Sequence, residues 1–232
     1  MKLLTRDSNA KLIKTAAGEP IVLAGLSMMP NEVLCPSSGN AQYFDDCLKS
    51  SGFASVYKSV NEARQRKTDF YMRDPKGFID QLTRELENLE RYAAKHGKRP
   101  IVRLNVLSDI AWESHNIPQQ FPNIEFYDYT KRAARLGKTP RNYRLMFSYS
   151  AAPKYRKQVD MALQTDTPIT VVFRGGLPSQ YLGREVIDGD KSDLDNLKAR
   201  GKIIGLPVKG NDAKRSQSPF IVDANIIARV AA

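Results

Sequence analysis

Two apolar runs in this chain turn polar at their C-terminal ends. The first extends from Ile101 to Asp109 and ends on Asn105, Ser108 and Asp109; the second extends from Ile124 to Lys131 and ends on Asp128, Thr130 and Lys131. Later runs end likewise on Ser148 and on Asp188 and Asp190. Amide, hydroxyl and carboxylate groups gathered on one rim can coordinate a ligand or exchange protons. The same residue types also cap turns by accepting from free backbone amides. The residues alone leave both readings open. In parallel α/β folds the C-terminal ends of the strands are where ligands bind.

Other groups carry less. Cys35 and Cys47 share one loop, and two thiolates are too few for a zinc site or an iron–sulfur cluster. His96 and His115 are far away in sequence, so the expectation is no metal and no cofactor. Trp112, the only tryptophan, reads as a packing anchor, with Glu113 as an acid or an ion-pair partner. Gly175-Gly176 and the stretch from Gly201 to Gly210 match no phosphate-loop motif.

The strongest compositional signal is charge. The net charge is +11. Between Lys131 and Lys157 stand nine basic residues and no acidic one: Lys131, Arg132, Arg135, Lys138, Arg141, Arg144, Lys154, Arg156 and Lys157. Such a surplus favours an acidic partner, either a protein surface or nucleic acid. Tyr143, Phe147, Tyr149 and Tyr155 are interleaved with these cations. That alternation suits single-stranded nucleic acid, although the expected strand would bury Tyr143, Phe147 and Tyr149 in a core.

The elements that must position these groups follow from pattern. Residues 1–18 read as an arm or edge hairpin, and residues 19–232 as a single α/β domain. A first strand covers Pro20 to Ser27, and a long loop covers Met28 to Ser51. A short helix is expected near Val60 to Tyr71. The clearest helix opens at Asp74-Pro75, an N-cap followed by a first-turn proline. Phe78, Leu82, Leu86, Leu89 and Ala93 then recur at helical spacing, and Gly97 closes it. Strands follow at 101–107, 124–129, 143–148, 169–173, 186–190 and 203–208, with a helix near 154–163. They are short, apolar on both faces and separated by helical or irregular links. This predicts a mostly parallel sheet forming an open or partial (βα) barrel. With 41% hydrophobic residues the chain can bury a real core. No apolar stretch is long enough to span a bilayer, and no signal-peptide pattern opens the chain; the expectation is a cytoplasmic protein without membrane insertion.

Several segments carry a family resemblance. They are Cys35-Pro36, Cys47 to Gly52, Asn61 to Thr68, Val102 to Glu113, Phe126 to Lys131 and Val186 to Asp190. In this order they resemble the gene product 88-like group of phage and plasmid proteins, over about residues 20–223. The most specific parts are the Arg103–Glu113 and Tyr127–Lys131 strings. The group is distantly similar to radical-SAM barrels, which place a cysteine-rich loop after the first strand. Here that loop has Tyr43 where a further cysteine is expected, so a three-thiolate site cannot be built. The resemblance implies a mobile-element protein on a degenerate scaffold. Three functions are then open. The first is a non-catalytic inhibitor, such as a fertility-inhibition factor acting on a rival plasmid's conjugation coupling ATPase. The second is an enzyme acting on nucleic acid or nucleotides through the strand-end rim. The third is a single-stranded DNA-binding protein.

Overall fold

The structure, a computed structural model, describes residues 1–6, 18, 20–42, 58–209 and 214–226. Its contacts divide the chain into two compact units. Unit one comprises Met1–Cys35, Phe53–Asp128 and Thr139–Arg144; unit two comprises Pro36–Gly52, Tyr129–Lys138 and Leu145–Ala232. The strands pair in a mixed, mostly parallel way, and the pairing does not close into a barrel among the described residues.

In unit one, β1 (Leu4–Arg6) pairs antiparallel with β2 (Ile21–Leu26), and β2 pairs parallel with β3 (Arg99–Arg103). Next to β3 lies β4 (Glu125–Thr130), also parallel. Every residue of β2 is buried, which explains an uninterrupted apolar run in place of alternation. Residues Leu3 and Leu4 are buried as well, 0% and 4% exposed. The N-terminal residues are thus part of the packed unit, and β1 is its edge strand.

Two helices cover this part of the sheet. Helix α1 (Lys58–Arg73) is longer at both ends than its sequence pattern suggests. Helix α2 (Pro75–Lys95) begins where Asp74 accepts from the Gly77 amide at 2.9 Å. It buries Phe78, Leu82, Leu86, Leu89 and Ala93; the phenylalanine and each leucine contribute about 1.5–3 kcal/mol. Phe78 is the centre of an aromatic cluster, 5.4 Å from Phe70, 5.2 Å from Tyr71 and 6.5 Å from Trp112. The helix stops at His96, followed by Gly97 at φ +59°, a left-handed conformation that favours glycine.

Strand β3 ends at Arg103, four residues before the expected strand 101–107 does. The segment from Asp109 to Asn123, read as irregular, contains a 3-10 turn (Trp112–His115) and the short helix α3 (Ile117–Gln120).

Strand β5 (Tyr143–Ser148) has its first two residues in unit one; in unit two its later residues, β6 (Ile169–Arg174) and β9 (Ile203–Pro207) are consecutive parallel strands. Parallel β8 (Arg184–Asp188) follows β9, and antiparallel β7 (Gln180–Tyr181) ends the order. The distal half of β6 also pairs with β10 (Ile221–Asp223). Helices α4 (Arg156–Leu163) and α5 (Asp193–Lys198) complete this unit. Strand β8 starts and stops two residues before the expected 186–190, because Gly189 and Asp190 turn away. No helix among the described residues is long and apolar enough to cross a membrane.

Candidate functional site

The polar group built around Asn105 is the most highly connected in unit one. Asn105 follows β3 by two residues, and Asp128 stands near the end of neighbouring β4. The Asp128 carboxylate accepts from the Asn105 backbone amide at 2.7 Å, from Asn105 Nδ2 at 3.0 Å and from the Tyr143 hydroxyl at 2.8 Å. Asn105 Oδ1 accepts from Ser108 Oγ at 2.8 Å, from the Ile110 amide at 2.9 Å and from Trp112 Nε1 at 3.1 Å. The second Nδ2 hydrogen goes to the Ile110 carbonyl at 2.9 Å. Three donors converge on one atom of this side chain and two acceptors on the other, so the amide orientation is fixed by its partners.

This is why β3 stops early. A longer strand would pair Asn105 along the ladder. Instead its backbone turns to Asp128, and its side chain winds the loop from Ser108 to Trp112 around itself. The loop is also pinned from outside. The Asp109 amide donates to the Leu34 carbonyl at 2.8 Å, and Cys35 Sγ lies 3.5 Å from the Leu107 carbonyl. Asn31 Oδ1 in turn caps the Leu34 amide at 2.8 Å. Trp112 is the packing anchor its uniqueness suggested, fully buried against Phe78 and Tyr71.

Four of the strand-end candidates, Asn105, Ser108, Asp109 and Asp128, therefore lie in unit one. They are 2%, 7%, 3% and 0% exposed. Asn105, Ser108 and Asp128 form one interior network, and Asp109 is likewise buried, its backbone amide bonded to Leu34.

The remaining candidates lie in unit two. Thr130 Oγ1, fully buried, accepts from the Arg132 amide at 3.1 Å and Arg135 Nη1 at 3.3 Å. The Lys131 carbonyl accepts from the Tyr155 hydroxyl at 2.7 Å, and its ammonium lies 5.7 Å from the Phe220 ring centre. Asp188 accepts from the Asp190 amide at 2.9 Å, which is the turn-capping role. Asp190 pairs with Lys209 at 2.5 Å. The Tyr149 and Tyr181 hydroxyls are hydrogen-bonded to each other at 2.9 Å. Burial, reinforced by this bond, pushes the Tyr181 phenol far above its usual range.

The basic stretch divides. Arg135 is buried, a correction to its reading as a surface charge; its guanidinium is held against Thr130. Arg144 shares Glu125 with Arg99, at 2.9 Å and 2.5 Å. Arg156 lies 3.7 Å from Asp160. Lys138, Arg141, Lys154 and Lys157 are exposed, and no carboxylate among the described residues pairs with them. The interleaved aromatics are core: Tyr143, Phe147, Tyr149 and Tyr155 are 1%, 0%, 6% and 0% exposed. They cannot stack on bases, which corrects the nucleic-acid reading of that alternation.

Several polar residues escaped the sequence reading. Asn142 Nδ2 donates to three carbonyls, of Pro118, Phe121 and Ile124, at 2.9, 2.9 and 3.0 Å. In unit two the fully buried Asp193 accepts from the Tyr129 hydroxyl at 2.8 Å. Its one signal is the Ser192 cap of α5, which accepts from the Leu194 amide at 3.2 Å. Among the described residues no three His, Cys, Asp or Glu side chains are grouped to hold a metal ion. Cys47 and Tyr43 lie outside the described residues.

The family model for gene product 88 matches residues 2–224. The chain belongs to the gene product 88 family. That membership is consistent with a phage or plasmid type of protein. No curated protein and no solved structure matches the chain.

Proposed function

We propose that this member of the gene product 88 family is a non-catalytic binding protein of a mobile genetic element. It inhibits a rival element by holding one of that element's proteins through an acidic surface, and a conjugation coupling ATPase fits that description. One observation carries the reading: Asn105, Ser108 and Asp128 spend their hydrogen bonds on one another inside the fold, while Lys138, Lys154 and Lys157 stand exposed with no carboxylate among the described residues paired to them. An enzyme acting through the same residues would need Asn105 or Asp128 at solvent, and these are 2% and 0% exposed. Exposed like charges without carboxylates repel one another, and an acidic partner relieves that repulsion and speeds capture. A degenerate radical-SAM-like scaffold supplies the rigidity such a binder needs.

The test is plasmid transfer. Expression of the protein in a donor cell lowers transfer of a susceptible plasmid. The doubly reversed variant Lys154→Glu, Lys157→Glu folds normally, since exposed substitutions change stability by about 0.5 kcal/mol or less each, and no longer inhibits. Full inhibition by that variant overturns the proposal, as does transfer that the wild-type protein leaves unchanged across a panel of plasmids.

A further inference from the structure

A second cationic surface lies within unit one, formed by the N-terminal residues and the α1–α2 hairpin. It contains two cavities. One, of 470 Å³, is lined by Arg66, Phe70 and Arg73 of α1 together with Met1, Asp69 and Gln81. The other, of 370 Å³, is lined by Lys2 and Arg6 and by Tyr92 of α2, with Glu85 and Asn88 also at its wall. Met1 enters the first cavity and Lys2 the second, so the two are neighbours along the N-terminal residues.

Arg66, Phe70 and Arg73 stand at i, i+4 and i+7, one face of a helix. The two guanidiniums are therefore about 10 Å apart along the helix axis. Neither has an ion-pair or hydrogen-bond partner among the described residues, and both are exposed. The nearby carboxylates are already engaged. Asp69 accepts from Gln65 Nε2 at 2.8 Å. Glu85 accepts from the backbone amides of Leu3 and Leu4 at 2.8 and 2.7 Å and from Gln81 Nε2 at 3.0 Å. In the second cavity the Arg6 guanidinium lies 4.2 Å from the Tyr92 ring centre. A guanidinium stacked on a ring is a flat, cationic platform of the kind on which a nucleobase stacks.

We infer that this surface binds single-stranded nucleic acid, with phosphates on Lys2, Arg66 and Arg73 and bases against Phe70 and the Arg6–Tyr92 stack. Cations alternating with half-exposed rings, over two adjoining cavities, match what an unpaired strand presents: a charge at each phosphate and a π-face at each base. A duplex hides its bases, and an acidic peptide has no use for the rings. The surface shares no residue with the Lys131–Lys157 stretch, so the inference goes beyond the inhibitor proposal and stands independently of it.

The experiment is fluorescence anisotropy with a labelled oligo(dT), titrated at several salt concentrations, with poly-glutamate as a competing polyanion. The wild-type protein binds oligo(dT) with a salt-dependent affinity. Arg66→Ala with Arg73→Ala lowers the slope of log affinity against log salt by about 1.4, at about 0.7 per phosphate contact on a single strand. Tyr92→Ala weakens binding about tenfold with little change in that slope, the signature of lost stacking. The Lys154→Glu, Lys157→Glu variant binds oligo(dT) as the wild type does. Fluorescence of buried Trp112 confirms that each variant is folded. The proposal is overturned if the wild type does not bind, if the arginine variant binds unchanged while folded, if the Lys154–Lys157 variant alone loses binding, or if poly-glutamate binds as well as oligo(dT).

Discussion

Replacing Asn105 by alanine tests whether the strand-end network holds the fold. The substitution removes five good side-chain hydrogen bonds, to Asp128, Ser108, Trp112 and both backbone groups of Ile110. Asp128 keeps the Asn105 amide and the Tyr143 hydroxyl, and Ser108 can rotate its hydroxyl. Three buried groups are then stranded: the Ile110 amide, the Ile110 carbonyl and Trp112 Nε1. Each buried polar group left without a partner costs about 1–3 kcal/mol. Water entering the vacated space recovers part of this, so the expected loss is about 3–5 kcal/mol. That is a large share of a typical total of about 5–15 kcal/mol. Urea denaturation followed by Trp112 fluorescence measures it directly, because the sole tryptophan reports on unit one alone. A two-unit chain need not unfold in one step, and this local probe avoids that difficulty. Asn105→Asp is the companion variant. It keeps an accepting oxygen, loses the Nδ2 donors and sets a second carboxylate against Asp128. Like charges raise both carboxyl pKa values in the folded state. The sign follows: the aspartate variant is least impaired at low pH, where the pair holds protons, and loses stability as pH rises through the raised values. The alanine variant shows no such added dependence. A loss below about 1 kcal/mol for Asn105→Ala refutes the reasoning and returns Asn105 to the set of ligand-binding residues.

Two further outcomes are expected in the same unit. Burial is the largest influence on the Lys67 ammonium and holds its pKa below 10.5; Arg64 acts in the same direction and Glu85 against it. The unfolded chain is therefore the more protonated state between the lowered value and 10.5, and stability rises with pH across that window. Lys67→Met flattens this rise, which urea midpoints at a series of alkaline pH values detect; an unchanged profile refutes it. Asp74→Ala removes the α2 cap on the Gly77 amide and lowers stability by about 1 kcal/mol, read by the same fluorescence transition, and no measurable change contradicts the capping role.

The local elements were legible in the sequence because their causes are local. The Asp74-Pro75 start, the apolar spacing from Phe78 to Ala93 and the Gly97 stop needed no partner to be read. The strands at 143–148 and 169–173 announced themselves as apolar runs, since a strand covered on both faces has no polar side to show. Trp112 was identifiable as an anchor by its size and singularity. What the sequence could not decide was the direction in which a polar side chain spends its hydrogen bonds. Asn105, Ser108 and Asp128 have the composition of a ligand site, and the same donors and acceptors serve equally well as an interior brace. Choosing between these requires knowing that β3 and β4 are neighbours, that Tyr143 reaches Asp128 from fifteen residues away, and that Trp112 folds back over Asn105. Arg135 and the ring of Tyr155 were misread for the same reason: a charged or aromatic residue in a basic stretch is a surface feature until packing places it inside. Burial is a property of what surrounds a residue, and only the tertiary structure supplies the surroundings.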